Sequence, residues 1–170
     1  MTFHKPYPLF AFFILHFAFA SCGIYSFKDV SIPPDVKTIK INYIENRARY
    51  VNPQLSPQLT EKLRQKVNNQ TRLTLVQTDD AHYDISGSVS DYSVTTSGIS
   101  NQQAATNRLT VTIQISFKNR LDPTKDFEAA VSRNFDFSAS LSLNQAEAQL
   151  GETIIRNMTD EIFTRIFSIW

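Results

Sequence analysis

The stretch Leu109–Phe117, L-T-V-T-I-Q-I-S-F, decides the fold. Leu109, Val111, Ile113, Ile115 and Phe117 share one parity, and Thr110, Thr112, Gln114 and Ser116 share the other. Side chains on a strand alternate between faces, so this is a strand with one buried side and one wet side. Strands wet on one side belong to antiparallel sheets, because parallel ones are covered on both. Downstream, the connector Asn119–Lys125 carries the turn signal Asp122-Pro123. Phe127, Ala129, Val131, Phe135 and Phe137 then repeat the alternation, which predicts a hairpin with Leu109–Phe117.

Upstream, Leu73–Gln77 and Tyr83–Thr95 are strand-like, interrupted by Asp79-Asp80. Tyr83, Ile85, Gly87 and Val89 take one parity, but Tyr92 and Val94 take the other. A β-bulge near Ser90-Asp91 returns all six to one face. Thr96–Asn107, with Gly98, Asn101, Gln102 and Gln103, reads as a polar loop. Val36–Ile44 alternates through Ile39, Ile41 and Tyr43 and predicts a first strand, followed by a polar loop over Glu45–Pro53.

Two segments have helical period. Ser56-Pro57 predicts a start, with Ser as N-cap and Pro in the first helical position. Leu59, Leu63 and Val67 follow at four-residue spacing, and the helix is expected to end near Asn68-Asn69. The second helix is expected from Asn144, capped with Glu147, and carries Leu150, Ile154, Met158, Ile162 and Ile166 on one stripe. Ile155, Phe163 and Phe167 widen that stripe. The expected order is β-α-β-β-β-α: a two-layer α+β domain, with a mostly antiparallel four-stranded sheet and both helices packed on one face. The uncovered face would be rich in Ser, Thr and Gln.

Composition narrows the function. The chain has 170 residues, 42% hydrophobic and 19% charged, with a net charge of +1. That suits one core and excludes wholesale disorder. Near-neutral charge argues against nucleic acid as a partner. A single cysteine, Cys22, excludes an internal disulfide and a multi-cysteine zinc site.

Cys22 also closes the N-terminal segment. Leu9–Ala20 reads LFAFFILHFAFA, short for a membrane span but the length of an export signal's apolar region. Ala20, Ser21 and Cys22 resemble the lipobox of bacterial lipoproteins, with Phe19 where Leu is usual. In those proteins the chain is cut before the cysteine, the thiol receives a diacylglyceryl group and the new amino group is acylated. The competing readings are an ordinary signal with an incidental cysteine, or an uncleaved anchor. We take residues 1–21 as the signal, 22–35 as a lipidated tether (Pro33-Pro34 within it) and 36–170 as one domain. Residues 22–170 balance 16 Lys and Arg against 16 Asp and Glu. The acyl chains, and not a field of one sign, are thus expected to hold the membrane.

Catalytic patterns are lacking. His82 is the one histidine beyond the signal. It stands beside Asp80, Tyr83 and Asp84, without a nucleophile elbow, and reads as a turn residue. Asp79, Asp80, Asp84 and Asp91 lack the fixed offsets of a metal loop, so no metal is expected there. There is no Walker or dinucleotide fingerprint, and no cofactor or enzymatic activity is expected. Residues 28–72 hold nine Lys or Arg against four acids, and 73–107 hold four acids and no base. That basic segment suits an acidic partner or phosphorylated lipid, or is simply a solvated helix face.

Several segments, in order, resemble the LptE family of lipopolysaccharide-assembly lipoproteins. They are Cys22-Gly23-Ile24-Tyr25-Ser26-Phe27, Leu55-Ser56-Pro57-Gln58-Leu59-Thr60-Glu61-Lys62-Leu63, Tyr83-Asp84-Ile85-Ser86-Gly87-Ser88-Val89, Asn107-Arg108-Leu109-Thr110-Val111 and the terminal helix. The resemblance implies a lipoprotein attached through Cys22 to the outer membrane on its periplasmic side. It implies a non-enzymatic plug and assembly partner of an LptD-like β-barrel that carries lipopolysaccharide to the outer leaflet. Lipopolysaccharide contact in the family is attributed to basic residues in the loops before the third strand and before the last helix. Here Thr96–Asn107 and Ser138–Asn144 hold no Lys or Arg. The candidates are therefore Arg108 at the loop border, and Lys118 and Arg120 at the next hairpin turn. The alternative function is a generic periplasmic lipoprotein that binds a small ligand or glycan.

Overall fold

The computed structural model describes residues 32–100 and 103–168. The signal, Cys22, most of the tether, Asn101, Gln102 and Ile169-Trp170 lie outside the described residues. The elements are β1 (Thr38–Ile41), β2 (Glu45–Asn46), α1 (Leu55–Gln70), β3 (Thr74–Leu75), β4 (Tyr83–Ser100), β5 (Gln103–Asn119), a 3-10 turn (Pro123–Lys125), β6 (Phe127–Ser138) and α2 (Leu143–Phe167).

The class is the expected two-layer α+β, but the sheet has six strands and is mixed. Its order is β3-β1-β4-β5-β6, with β2 beside β4. β1 runs parallel to β3 and to β4, and β2 runs parallel to β4. The parallel β1–β3 pair follows from the helix between them, since a crossover returns the chain in the same direction. β3 lies within the strand-like Leu73–Gln77 and pairs with β1 as a strand of its own, while β2 is an addition of two residues in the expected loop Glu45–Pro53. Two residues carry no periodicity to read.

The alternation of β5 holds throughout. Leu109, Val111 and Ile113 are wholly buried, and Ile115 and Phe117 nearly so. The expected bulge is present, with the register slipping between Val89 and Asp91. Val89 faces Ile113 and Tyr92 faces Val111, so Ser90 is the extra residue and Tyr92 stays in the core. The first strand is shorter than expected. The chain leaves it after Ile41, so Ile44 is buried and Tyr43 exposed.

The expected loop Thr96–Asn107 is largely a hairpin arm. Thr96 pairs Asn107, Gly98 pairs Thr106 and Ile99 pairs Ala104. Near its tip the arm has no core to face, so its strands carry no apolar alternation, and backbone bonding makes the pairing.

Both helices cover the apolar side. Leu59, Leu63 and Val67 of α1 and Met158, Ile162 and Ile166 of α2 are wholly buried. Each such side chain contributes about 1.5–3 kcal/mol of burial. Lys66 links the helices, 2.9 Å from Asp160 and over the Phe163 ring.

Two caps differ from expectation. Asn52 Oδ1 accepts from Gln54 N at 2.9 Å and turns the chain into α1 two residues early, at Leu55. Ser56 is then buried inside the first turn with an unpartnered hydroxyl, and does not cap. In α2 the cap is Ser142: its hydroxyl accepts from Gln145 N, and the Gln145 side chain accepts from Ser142 N at 2.9 Å. Asn144 and Glu147 form no cap, and Glu147 is used elsewhere.

Candidate functional site

The side of the sheet away from the helices carries the even-numbered residues of β5 and β6. Hydroxyls and amides line it and bond sideways. Thr110 Oγ1 donates to Asn134 Oδ1, and Thr112 and Ser132 share a bond, each at 2.9 Å. Ser86 faces Ser116 and Ser88 faces Gln114 across the β4–β5 ladder. Beside them lies an open trough of about 360 Å³, bordered by Tyr43, Arg47 and Glu128. Such a surface keeps its hydrogen-bonding capacity in water and can exchange water for polar partners.

The three basic candidates do not converge. Arg108 and Lys118 are ten positions apart on β5, roughly 33 Å at strand rise. Arg108 grips Asp136 with two bonds, at 2.7 and 2.9 Å. This ion pair holds the Asp136 carboxyl below the usual carboxylate range and raises Arg108. Lys118 stands opposite Asp84 in the ladder. Arg120 Nη2 donates to the Asp79 carbonyl. Lys118 and Arg120 thus share the sheet end where Arg72 holds the carbonyls of Ile32 and Pro33, which is where the tether joins the domain.

His82 serves that same end. Its Nδ1 accepts from Lys37 N at 2.9 Å, its N–H donates to Thr38 Oγ1 at 3.0 Å, and its carbonyl accepts from Arg120 N at 2.8 Å. It stitches β1 to β4, as a turn residue would. The acids are each engaged nearby. Asp79 pairs with Lys40 at 2.5 Å, and that bond lowers the Asp79 carboxyl and raises the Lys40 ammonium. Asp84 accepts from Asn42, and Asp91 accepts from Ser93. The bulge puts Asp84 and Asp91 on one face. Among the described residues no three His, Cys, Asp or Glu side chains gather as a metal site.

Sequence reading missed one cluster. Glu147, near the start of α2, accepts from the Tyr92 hydroxyl at 2.8 Å, Asn52 Nδ2 at 3.0 Å and the Tyr50 hydroxyl at 3.2 Å. Tyr50 and Tyr92 stack at 5.6 Å. Burial first, and then Glu147, raise the Tyr92 phenol far above its usual range. These residues are 55 to 97 positions from Glu147 in sequence, so no local pattern shows them. The cluster locks the 47–53 loop to the bulged strand and to α2.

Comparison with known proteins supplies the context. A family model described as LptE, lipopolysaccharide-assembly, matches residues 36–166. A minor lipoprotein from Acinetobacter baumannii is similar in structure, with TM-score 0.52, 16% identity, and coverage of 78% of this chain and 93% of that one. The hypothetical protein CT253 from Chlamydia trachomatis is also similar, with TM-score 0.51, 8% identity, and coverage of 78% and 99%. At those identities the two structures speak to the fold alone. No curated protein matches the chain in sequence.

Proposed function

We propose, on the premise that the chain belongs to the LptE family of lipopolysaccharide-assembly proteins, that it is a lipid-anchored plug and assembly partner of an LptD-type outer-membrane β-barrel. The protein works without covalent chemistry. Acyl chains on Cys22 moor it at the periplasmic side of the outer membrane, each buried methylene contributing about 0.8 kcal/mol. The observation that carries this reading is the bare sheet face. Its Ser, Thr, Asn and Gln side chains suit the wet lumen of a barrel, which is polar inside.

Lipopolysaccharide contact falls on Lys118 and Arg120 at the tether end, and on Arg108 once it leaves Asp136. Phosphate would compete with that carboxylate for the guanidinium.

Mass spectrometry of the exported protein tests the anchor, with a diacylglyceryl-modified Cys22 expected. Depletion tests the role: lipopolysaccharide should accumulate on the periplasmic side and the outer leaflet should lose it. An unmodified Cys22, or normal surface lipopolysaccharide after depletion, overturns the proposal.

A further inference from the structure

The sheet has unequal edges. β3 ends one side with two residues, too short to recruit another strand. The outer edge of β4 is paired by β1 and β2 as far as Val89; beyond that it carries register shifts at Val89/Asp91, Thr96/Gly98 and Gly98/Ile99. Short strands and bulges are the usual ways to blunt an edge. β6 has neither. It runs 12 residues, Phe127–Ser138, and matches β5 pair for pair without a shift. It contains no Pro, Gly or Lys. Its one charge on the helix side, Arg133, is already held by Glu161 of α2 at 2.8 Å.

The phase of the ladder shows which groups point outward. Ala139 N donates to Ala105 O, next to the Thr106–Ser138 pair. Hydrogen-bonded and open pairs alternate along an antiparallel ladder. The odd residues of β6 therefore bond β5. Glu128, Ala130, Ser132, Asn134, Asp136 and Ser138 turn their backbone N–H and C=O groups away from the sheet. Among the described residues no strand pairs this edge.

From this we infer that β6 receives an added strand from the barrel partner: an extended segment lying outside the partner's closed wall, apolar on the α2 side and polar on the bare side. A strand within a closed wall already has both edges paired, so the donor must lie elsewhere in that polypeptide. Val131, Phe135 and Phe137 keep 5–8% exposure that such a segment would cover. A second copy of this chain fits poorly in the two registers of greatest overlap. Antiparallel pairing of two β6 strands centred on Ser132 sets Glu128 against Asp136, and pairing centred on Arg133 sets Arg133 against itself. Like charges directly opposite destabilise a pair.

The inference rests on the barrel reading, and the test separates the two. The full-length lipoprotein is co-expressed with the LptD-type barrel of its own organism, and amide exchange is compared between free protein and complex. The amides of Ala130, Ser132, Asn134 and Asp136 should exchange at least tenfold more slowly in the complex. Ala130→Pro removes an outward donor while sparing the β5 ladder; it should cut recovery of the complex at least tenfold, and Ala130→Thr should leave recovery unchanged. Unchanged exchange at these amides with the barrel still recovered, or β6–β6 cross-linking in the free protein, overturns the added strand and leaves the barrel reading standing. Recovery of no barrel by the unmodified protein overturns both.

Discussion

The Tyr92 hydroxyl donates to Glu147 Oε1 at 2.8 Å, and this bond joins the strand just past its bulge to the second turn of α2. Without the extra residue Ser90, Tyr92 would point to the bare face and could not reach the helix. The bulge and the carboxylate thus act as one device, with Tyr50 and Asn52 of the preceding loop drawn in. Hydrogen bonds to a charged acceptor are worth about 1.5–3 kcal/mol each, and members of one network do not add independently. Glu147→Ala should lower unfolding free energy by about 2–3 kcal/mol in urea titration. Glu147→Gln, which keeps an acceptor, should cost about 1 kcal/mol.

The same cluster predicts alkaline sensitivity. Burial raises the Tyr92 phenol, and Tyr50 and Tyr83 move the same way. The folded chain therefore holds phenolic protons that the unfolded chain releases above pH of about 10. The stabilisation is present in full below that pH and is lost as pH rises toward the folded values. Ultraviolet titration should show these tyrosines ionising late, together with unfolding. In Tyr92→Phe the loss of stability above pH of about 10 should become shallower.

Much of this was legible in the sequence. Leu109–Phe117 announced the sheet because one face is dry and the other wet. The slip between Val89 and Tyr92 announced the bulge because burial depends on parity. The arm around Gly98 was hidden because near its tip neither side meets a core. The two-residue β2 was hidden because it carries no period, whereas β3 lies within the strand-like Leu73–Gln77. Glu147 read as a helix cap because its real partners, Tyr50 and Tyr92, come from other elements.

Caps give a direct check of that last point. Ser142→Ala should cost about 1 kcal/mol, since the serine hydroxyl meets Gln145 N. Asn144→Ala should cost a few tenths of a kcal/mol at most. Equal losses in thermal unfolding would contradict the assignment of the cap to Ser142.

Gly87 is set by close approach of two strands. A β-carbon there would lie 2.7 Å from Gln114 O, a backbone atom in the middle of the ladder. Gly87→Ala forces β4 and β5 apart and should destabilise by about 2–3 kcal/mol, measured by urea unfolding. A neutral result would mean that the ladder yields there.

Arg108 and Asp136 connect stability to ligand choice. In Arg108→Ala the Asp136 carboxyl should titrate higher than in the unmodified protein, read by carboxyl NMR, because the guanidinium lowers it. In Asp136→Asn, Arg108 is released. Lipopolysaccharide affinity should then rise if Arg108 is a contact, by a factor of about three to ten. An unchanged affinity in both variants removes Arg108 from the contact.

Photocrosslinking from two positions on the tagged full-length protein, in cells, tests the central claim most directly. One probe replaces Gln114 on the bare face, and the other replaces Asp79 beside Lys118 and Arg120. The account predicts that the probe at 114 captures an LptD-type barrel, identified by mass spectrometry at one copy per lipoprotein. A probe at 114 that captures only water while the protein remains folded and lipidated would contradict it.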